Sequence, residues 1–171
     1  MRKNHPIIQT VVLLFVLSLF IVFAVGVFSQ DKAYGIGDEV DDFEIEDLEG
    51  NMHHLSDHAG EVIILNFFAT WCDSCEKEMP DLIEFQEEFQ DDISYFTIVK
   101  SDSKRTVEKY IDRTGYDIPY FFDFDLSISD EFGVVGQPET IVIDKDGTIK
   151  NHYVGPVSRD VLALEVSELN N

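Results

Sequence analysis

Residues 61–70 read EVIILNFFAT, an apolar run of strand length interrupted between Val62 and Ala69 only by Asn66. A strand without polar alternation is apolar on both faces, so it belongs at the centre of a sheet that is covered on both sides. The two cysteines of the chain, Cys72 and Cys75, follow that run at once, three residues apart.

The flanking segments supply the rest of such a sheet. In residues 38–55, Phe43, Ile45 and Leu55 alternate with charge around the turn Asp47-Leu48-Glu49-Gly50-Asn51, which predicts a hairpin with one wet face. After the cysteines, Leu82, Ile83, Phe85 and Phe89 recur at helical spacing, and ISYFTIV (93–99) reads as another buried strand. SKRTVEKYIDRTG (103–115) opens on a serine cap and closes on Gly115, the punctuation of a helix. PYFFD (119–123) is a short strand or extended piece, and SISDEFG (127–133) a short helix. ETIVID and TIKNHYVG flank Lys145-Asp146-Gly147 as a second hairpin. SRDVLALEVSEL predicts a last helix with Val161, Leu162, Leu164 and Leu169 as candidate core. Parallel pairs followed by an antiparallel hairpin predict an α/β domain with a mixed central sheet and helices on both faces.

The N-terminal part is of another kind. From Pro6 to Phe28 the chain is uncharged and apolar except for Gln9, Thr10 and Ser18. About 22 residues at ~1.5 Å rise span the ~30 Å hydrocarbon core of a bilayer. Arg2 and Lys3 precede this run and acidic sequence follows from Asp31. The positive-inside bias therefore predicts a cytoplasmic N-terminus (1–6), a single transmembrane anchor (7–28), a linker (29–37) and an extracytoplasmic domain (38–171) held at the cell membrane. A cleaved signal peptide competes, with Ala24-Val25-Gly26 as its cleavage site. The run is longer than the roughly 7–15 residues of a signal core, which favours the anchor.

With Arg2 and Lys3 set aside, 10 basic residues face 34 acidic ones. A balance of −24 makes nucleic acid and anionic lipid headgroups poor partners. The 14 phenylalanines and many aliphatic residues supply a core, so the acidity belongs to the surface of a globular domain.

Cys72 and Cys75 suit half a zinc site, a structural clip or a redox pair. Structural zinc needs four ligands, and His53, His54, His58 and His152 have no spacing that completes a set, so no metal is expected. A loop this small restrains the unfolded chain little, which argues against a staple. A cysteine at a helix N-terminus meets free N–H groups and the positive end of the macrodipole, which favour thiolate. The second cysteine, one turn on, is within reach to resolve a mixed disulfide. Redox exchange is the favoured chemistry.

The segment VIILNFFATWCDSCEKEMP resembles the active-site region of the thioredoxin superfamily, and within it the membrane-anchored TlpA/ResA-like thiol-disulfide oxidoreductases. LSDHAGEVIILNFFATWC, EFGVVGQPETIVIDKDGTI and VGPVSRDVL extend the resemblance over nearly all of residues 35–171. SDSKRTVEKYIDRTGYDIPYFFD fits the family's helical insertion. The resemblance implies a thioredoxin-like fold with an N-terminal β-hairpin. It implies Cys72 as the exposed nucleophile, Cys75 as the buried resolving thiol and Glu78 as the acid/base that manages the Cys75 proton. Pro138 would be a cis-proline beside the cysteines, with Gln137 pairing to substrate backbone and Trp71 flanking the first cysteine. Pro80 would kink the active-site helix. No cofactor beyond the Cys72–Cys75 disulfide is implied. The implied partners are an extracytoplasmic protein with a cysteine pair, such as apocytochrome c, and a membrane thiol-disulfide electron donor.

Asn66 stands where thioredoxins proper keep a buried aspartate, Asp73-Ser74 lie between the cysteines, and Glu139 follows Pro138 where threonine is common. Together with Glu76 and Glu78 these residues predict an acidic rim that makes Cys72 a weak acid and favours reduction. A disulfide-forming oxidase of the same fold and a copper-delivery module are the alternatives; the latter would use a longer C-x-x-x-C with a downstream histidine, and His152 lies in a strand without that context. A peroxiredoxin is disfavoured, because Leu65 and Ala69 occupy its motif's proline and threonine positions. Asp144–Gly147 resembles the start of a calcium loop, but Gly155 stands where its twelfth-position carboxylate belongs, which leaves a hairpin turn.

Overall fold

The computed structural model describes residues 6–28 and 33–170, with side chains of the first stretch described over 9–22. Two compact units divide at residues 32 and 33. The first contains α1 (Pro6–Phe28), a 23-residue helix. Its described side chains cover only about 21 Å of rise. Among the described residues no helix is long and apolar enough to cross a membrane. The remainder of the expected span lies outside the described side chains, and residues 29–32 of the expected linker lie outside the described residues.

The second unit begins at Ala33. The Tyr34 N–H donates to the Glu131 carbonyl at 2.8 Å and the Gly37 N–H to the Ile149 carbonyl at 2.8 Å, so residues 33–37 are hydrogen-bonded into the domain. The elements then run β1 (Glu44–Asp47), β2 (Met52–His54), a 3-10 turn (Leu55–His58), β3 (Val62–Phe68), α2 (Asp73–Phe89) and β4 (Ile93–Lys100). α3 (Lys104–Thr114), β5 (Tyr120–Asp123), α4 (Ser127–Glu131), β6 (Glu139–Ile143), β7 (Ile149–Val154) and α5 (Arg159–Leu169) complete the unit.

All seven strands form one sheet in the order β2-β1-β5-β4-β3-β6-β7. β3, β4 and β5 are parallel neighbours, whereas β1, β2, β6 and β7 join antiparallel. The expected N-terminal hairpin is therefore an edge of the central sheet, joined through Glu46 and Asp47 of β1 to Phe121 and Phe122 of β5.

β3 is buried along its whole length. Val62, Ile64 and Phe68 face a core shared with Met79, Leu82, Phe85, Tyr110, Leu162 and Val166, which belong to α2, α3 and α5. Ile63, Leu65 and Phe67 face a second core with Phe96, Ile98, Phe121, Ile128, Phe132 and Ile141. That second face is covered by the short α4, the 3-10 turn and the segment around Tyr34, Val40 and Phe43 rather than by long helices. α5 also differs from expectation. Leu162 and Val166 are buried and Leu169 is partly buried, a spacing of four and three that follows one helical face. Val161 and Leu164 fall off that face and are exposed.

Candidate active site

The end of β3 sets the first cysteine at the mouth of α2. Cys72 is the N-cap, with φ −89° and ψ 103°, and its Sγ accepts a hydrogen bond from the Cys75 N–H at 3.1 Å. A first-turn N–H thus points at the sulfur that has to carry negative charge when reduced. Cys72 and Cys75 form a disulfide with Cα atoms 5.3 Å apart. Cys72 is 8% accessible and Cys75 is fully buried, so the first sulfur is the one solvent reaches.

The bond between Gln137 and Pro138 is cis. The Gln137 carbonyl oxygen lies 3.6 Å from Cys72 Sγ. Trp71 is 65% exposed and Val135 95% exposed, so apolar surface lies both beside Cys72 in sequence and on the loop leading to Gln137. Thr70, which precedes Trp71, donates its N–H (2.8 Å) and hydroxyl (3.0 Å) to Asp102 Oδ2 in the turn before α3. Lys100 donates from Nζ to the Val134 carbonyl at 3.0 Å and steadies the far end of the same loop. Pro80 lies inside α2, which continues past it to Phe89.

Glu78 lies one turn beyond Cys75 and points into the domain. Asn66 Nδ2 donates to its Oε1 at 3.1 Å, and the Val157 N–H donates to its Oε2 at 3.0 Å. Asn66 Nδ2 also donates to Thr140 Oγ1 at 3.0 Å. Burial pushes the Glu78 carboxyl up to about 7, against the pull of the Asn66 and Val157 hydrogen bonds. A carboxyl in that range exchanges its proton near neutrality, which suits general acid–base work beside a buried thiol.

The carboxylates of the expected acidic rim are largely engaged by neighbours. Glu139 is buried; its Oε1 accepts the N–H groups of Val135 (3.1 Å) and Gly136 (2.8 Å). Its Oε2 lies 2.7 Å from His152 Nε2. Glu76 accepts a bidentate pair from Arg113, with Nη1 at 3.0 Å and Nη2 at 2.8 Å. The Arg113 hydrogen bonds hold its carboxyl below the usual range. Asp73 alone of the expected acidic residues is exposed without an ion pair among the described residues. The sequence reading missed Arg113, Asp102 and the His152–Glu139 contact because each partner lies 13 to 37 positions away, with no local pattern to connect them.

Among the described residues no group of three or more His, Cys, Asp or Glu side chains is arranged to hold a metal ion. His53, His54 and His58 instead lie beside Asp47, Asp42 and Glu61 respectively.

A family model described as the AhpC/TSA family matches residues 36–152. The thiol-disulfide oxidoreductase ResA of Geobacillus thermodenitrificans is 32% identical over 162 residues, covering 93% of this chain and 92% of the relative. ResA of Bacillus anthracis is 30% identical over 165 residues, covering 95% of each chain. Among solved structures, the pneumococcal exposed lipoprotein thioredoxin Etrx1 from Streptococcus pneumoniae matches with a TM-score of 0.69 and 27% identity, over 75% of this chain and all of that one. StoA from Bacillus subtilis has the same fold, with a TM-score of 0.66 at 22% identity over 76% of this chain and 99% of that one. With a redox pair capping α2 and a cis-proline against it, the chain belongs to the AhpC/TSA family and is a ResA/TlpA-like thiol-disulfide oxidoreductase of the thioredoxin superfamily.

Proposed function

We propose that this oxidoreductase works as an extracytoplasmic disulfide reductase tethered to the cell membrane. Cys72 as thiolate attacks one sulfur of a substrate disulfide; the substrate S–S bond breaks, a Cys72–substrate disulfide forms and the other substrate sulfur leaves as thiolate. Glu78, as carboxylate, takes the Cys75 proton. Cys75 then attacks Cys72 Sγ, which closes the intramolecular disulfide and releases the second substrate thiolate. Two electrons have passed to the substrate, and its thiolates take up protons from solvent or from Glu78. A dithiol donor at the membrane resets the pair by the same exchange in reverse. The burial of Glu78 one turn from the fully buried Cys75 carries this reading, because it supplies a neutral-range proton acceptor where the resolving thiol needs one.

The uncharged run from Pro6 to Phe28, apolar except for Gln9, Thr10 and Ser18 and preceded by Arg2 and Lys3, supports the anchor. The relatives named ResA support a substrate with paired cysteines, and apocytochrome c before haem attachment is the substrate class proposed.

Trapping tests the scheme. In Cys75→Ser the mixed disulfide cannot resolve, so covalent partner adducts through Cys72 are expected, and Cys72→Ser should give none. Adducts formed by Cys72→Ser but not by Cys75→Ser would reverse the two roles.

A further inference from the structure

An open trough runs beside Trp71 and the start of α2, lined by Asp73, Glu76, Lys77, Arg113 and Tyr116. The Glu76 N–H donates to the Cys72 carbonyl at 3.1 Å, closing the first turn of α2. The two side chains are therefore neighbours at i and i+4, with Cβ atoms about 5–6 Å apart. A free carboxylate there would repel a Cys72 thiolate. Arg113, on α3, grips that carboxylate with both terminal nitrogens and also lies over the Tyr110 ring, 5.2 Å from its centroid. Nothing in the exchange chemistry itself requires this pair, and both partners are surface residues of a strongly acidic chain.

We propose that Arg113 is a positioning residue that sets the reactivity of Cys72 by holding and neutralising Glu76. The inference rests on Cys72 being the attacking thiol. The charged and titratable groups facing the Cys72 corner come from several elements. α2 contributes Asp73, Glu76, Lys77 and the buried Glu78, and the α3 side contributes Arg113, Tyr110 and Tyr116. Asp102 is engaged with Thr70, and Glu139 with His152. Of these, Glu76 is the carboxylate at helical i+4 spacing from Cys72, and Arg113 is the group that holds it.

A unit charge at about 6 Å, between the limits of bulk water and a protein surface, shifts a thiol pKa by about half a unit to two units. In Arg113→Gln the Cys72 pKa is expected to rise by that amount and the pair to become more reducing, since the thiolate form of the dithiol is destabilised. Below that pKa, alkylation slows by about two- to tenfold, because the smaller thiolate fraction is only partly offset by the greater nucleophilicity of the less acidic thiol. Glu76→Gln, which leaves Arg113 facing Cys72 without its carboxylate, is expected to move the pKa the other way. The double variant E76Q/R113Q should lie close to the starting protein. The Arg113→Gln shift should shrink in ~1 M salt, where the screening length is about 3 Å.

The test is the pH dependence of iodoacetamide alkylation of the reduced full-length protein, with the modified cysteine located by mass spectrometry. Opposite shifts in the two single variants are the expected result. Shifts of one sign in both, or an unchanged pKa in either, would overturn the assignment to Arg113. Label landing first on Cys75 in the unsubstituted protein would instead refute the role given to Cys72, a separate outcome.

Discussion

Glu78→Gln is expected to lower turnover of a disulfide substrate by on the order of a hundredfold at neutral pH, the low end for loss of a general acid–base group. The same change is expected to stabilise the fold in alkaline buffer. Burial raises the Glu78 carboxyl to about 7 from an ordinary value of 4.5. Between those two values the folded protein binds a proton that the unfolded chain has released, so stability falls as pH rises through that window. The penalty is absent below pH ~4.5 and complete above pH ~7, at about 3 kcal/mol by the usual conversion. Glutamine removes the charge and keeps the shape. Its oxygen can accept the Val157 N–H, and its amide can donate to Asn66 Oδ1, which is buried without a partner among the described residues, once the Asn66 amide turns over. Urea titrations at pH 5 and pH 8 check this. The unsubstituted protein should lose stability between them, and Glu78→Gln should lack that component while losing activity. A parallel pH slope in both proteins would deny Glu78 its raised pKa.

Phe68→Ala is the second large effect. Phe68 is fully buried near the end of β3, with ring centroids 5.2 Å from Tyr110 and 5.9 Å from Tyr120. Truncating a ring this enclosed removes its transfer energy and leaves a cavity that the sheet cannot close, at about 3–5 kcal/mol. Natural domains have roughly 5–15 kcal/mol in total, so the variant should retain only a fraction of its stability. Tyr110 belongs to α3 and underlies Arg113, so the same cavity loosens the platform on which Arg113 meets Glu76. Guanidinium denaturation should show the midpoint fall steeply. A loss below about 1 kcal/mol would mean that α3 does not depend on this contact.

Local pattern was enough for most of the architecture. The apolar run at 62–68 became a fully buried interior strand, Ser103 and Gly115 bound α3, and Asp144 to Gly147 turned the second hairpin. Serine accepting from the Thr106 N–H and glycine at φ +73° are short-range devices that a sequence displays directly. α5 was harder, because Val161, Leu162, Leu164 and Val166 are all apolar and only packing against α2 decides which stripe is inside. The site divided in the same way. The cysteines and Glu78 share one helix and their relation follows from helical spacing. The fate of Glu76 and Glu139 depended on Arg113 and His152, which the fold brings from other elements. Counting acidic residues near the motif therefore overstated the negative charge that Cys72 experiences.

The reduction potential of the Cys72–Cys75 pair tests the central claim most directly. The full-length protein in detergent is equilibrated with glutathione redox buffers and the fraction of disulfide is read by thiol labelling. A reductase holds its pair more reducing than the glutathione couple, so the disulfide should persist until reduced glutathione is in large excess. A pair that is largely reduced in balanced glutathione would identify an oxidant and contradict the proposed direction of electron flow.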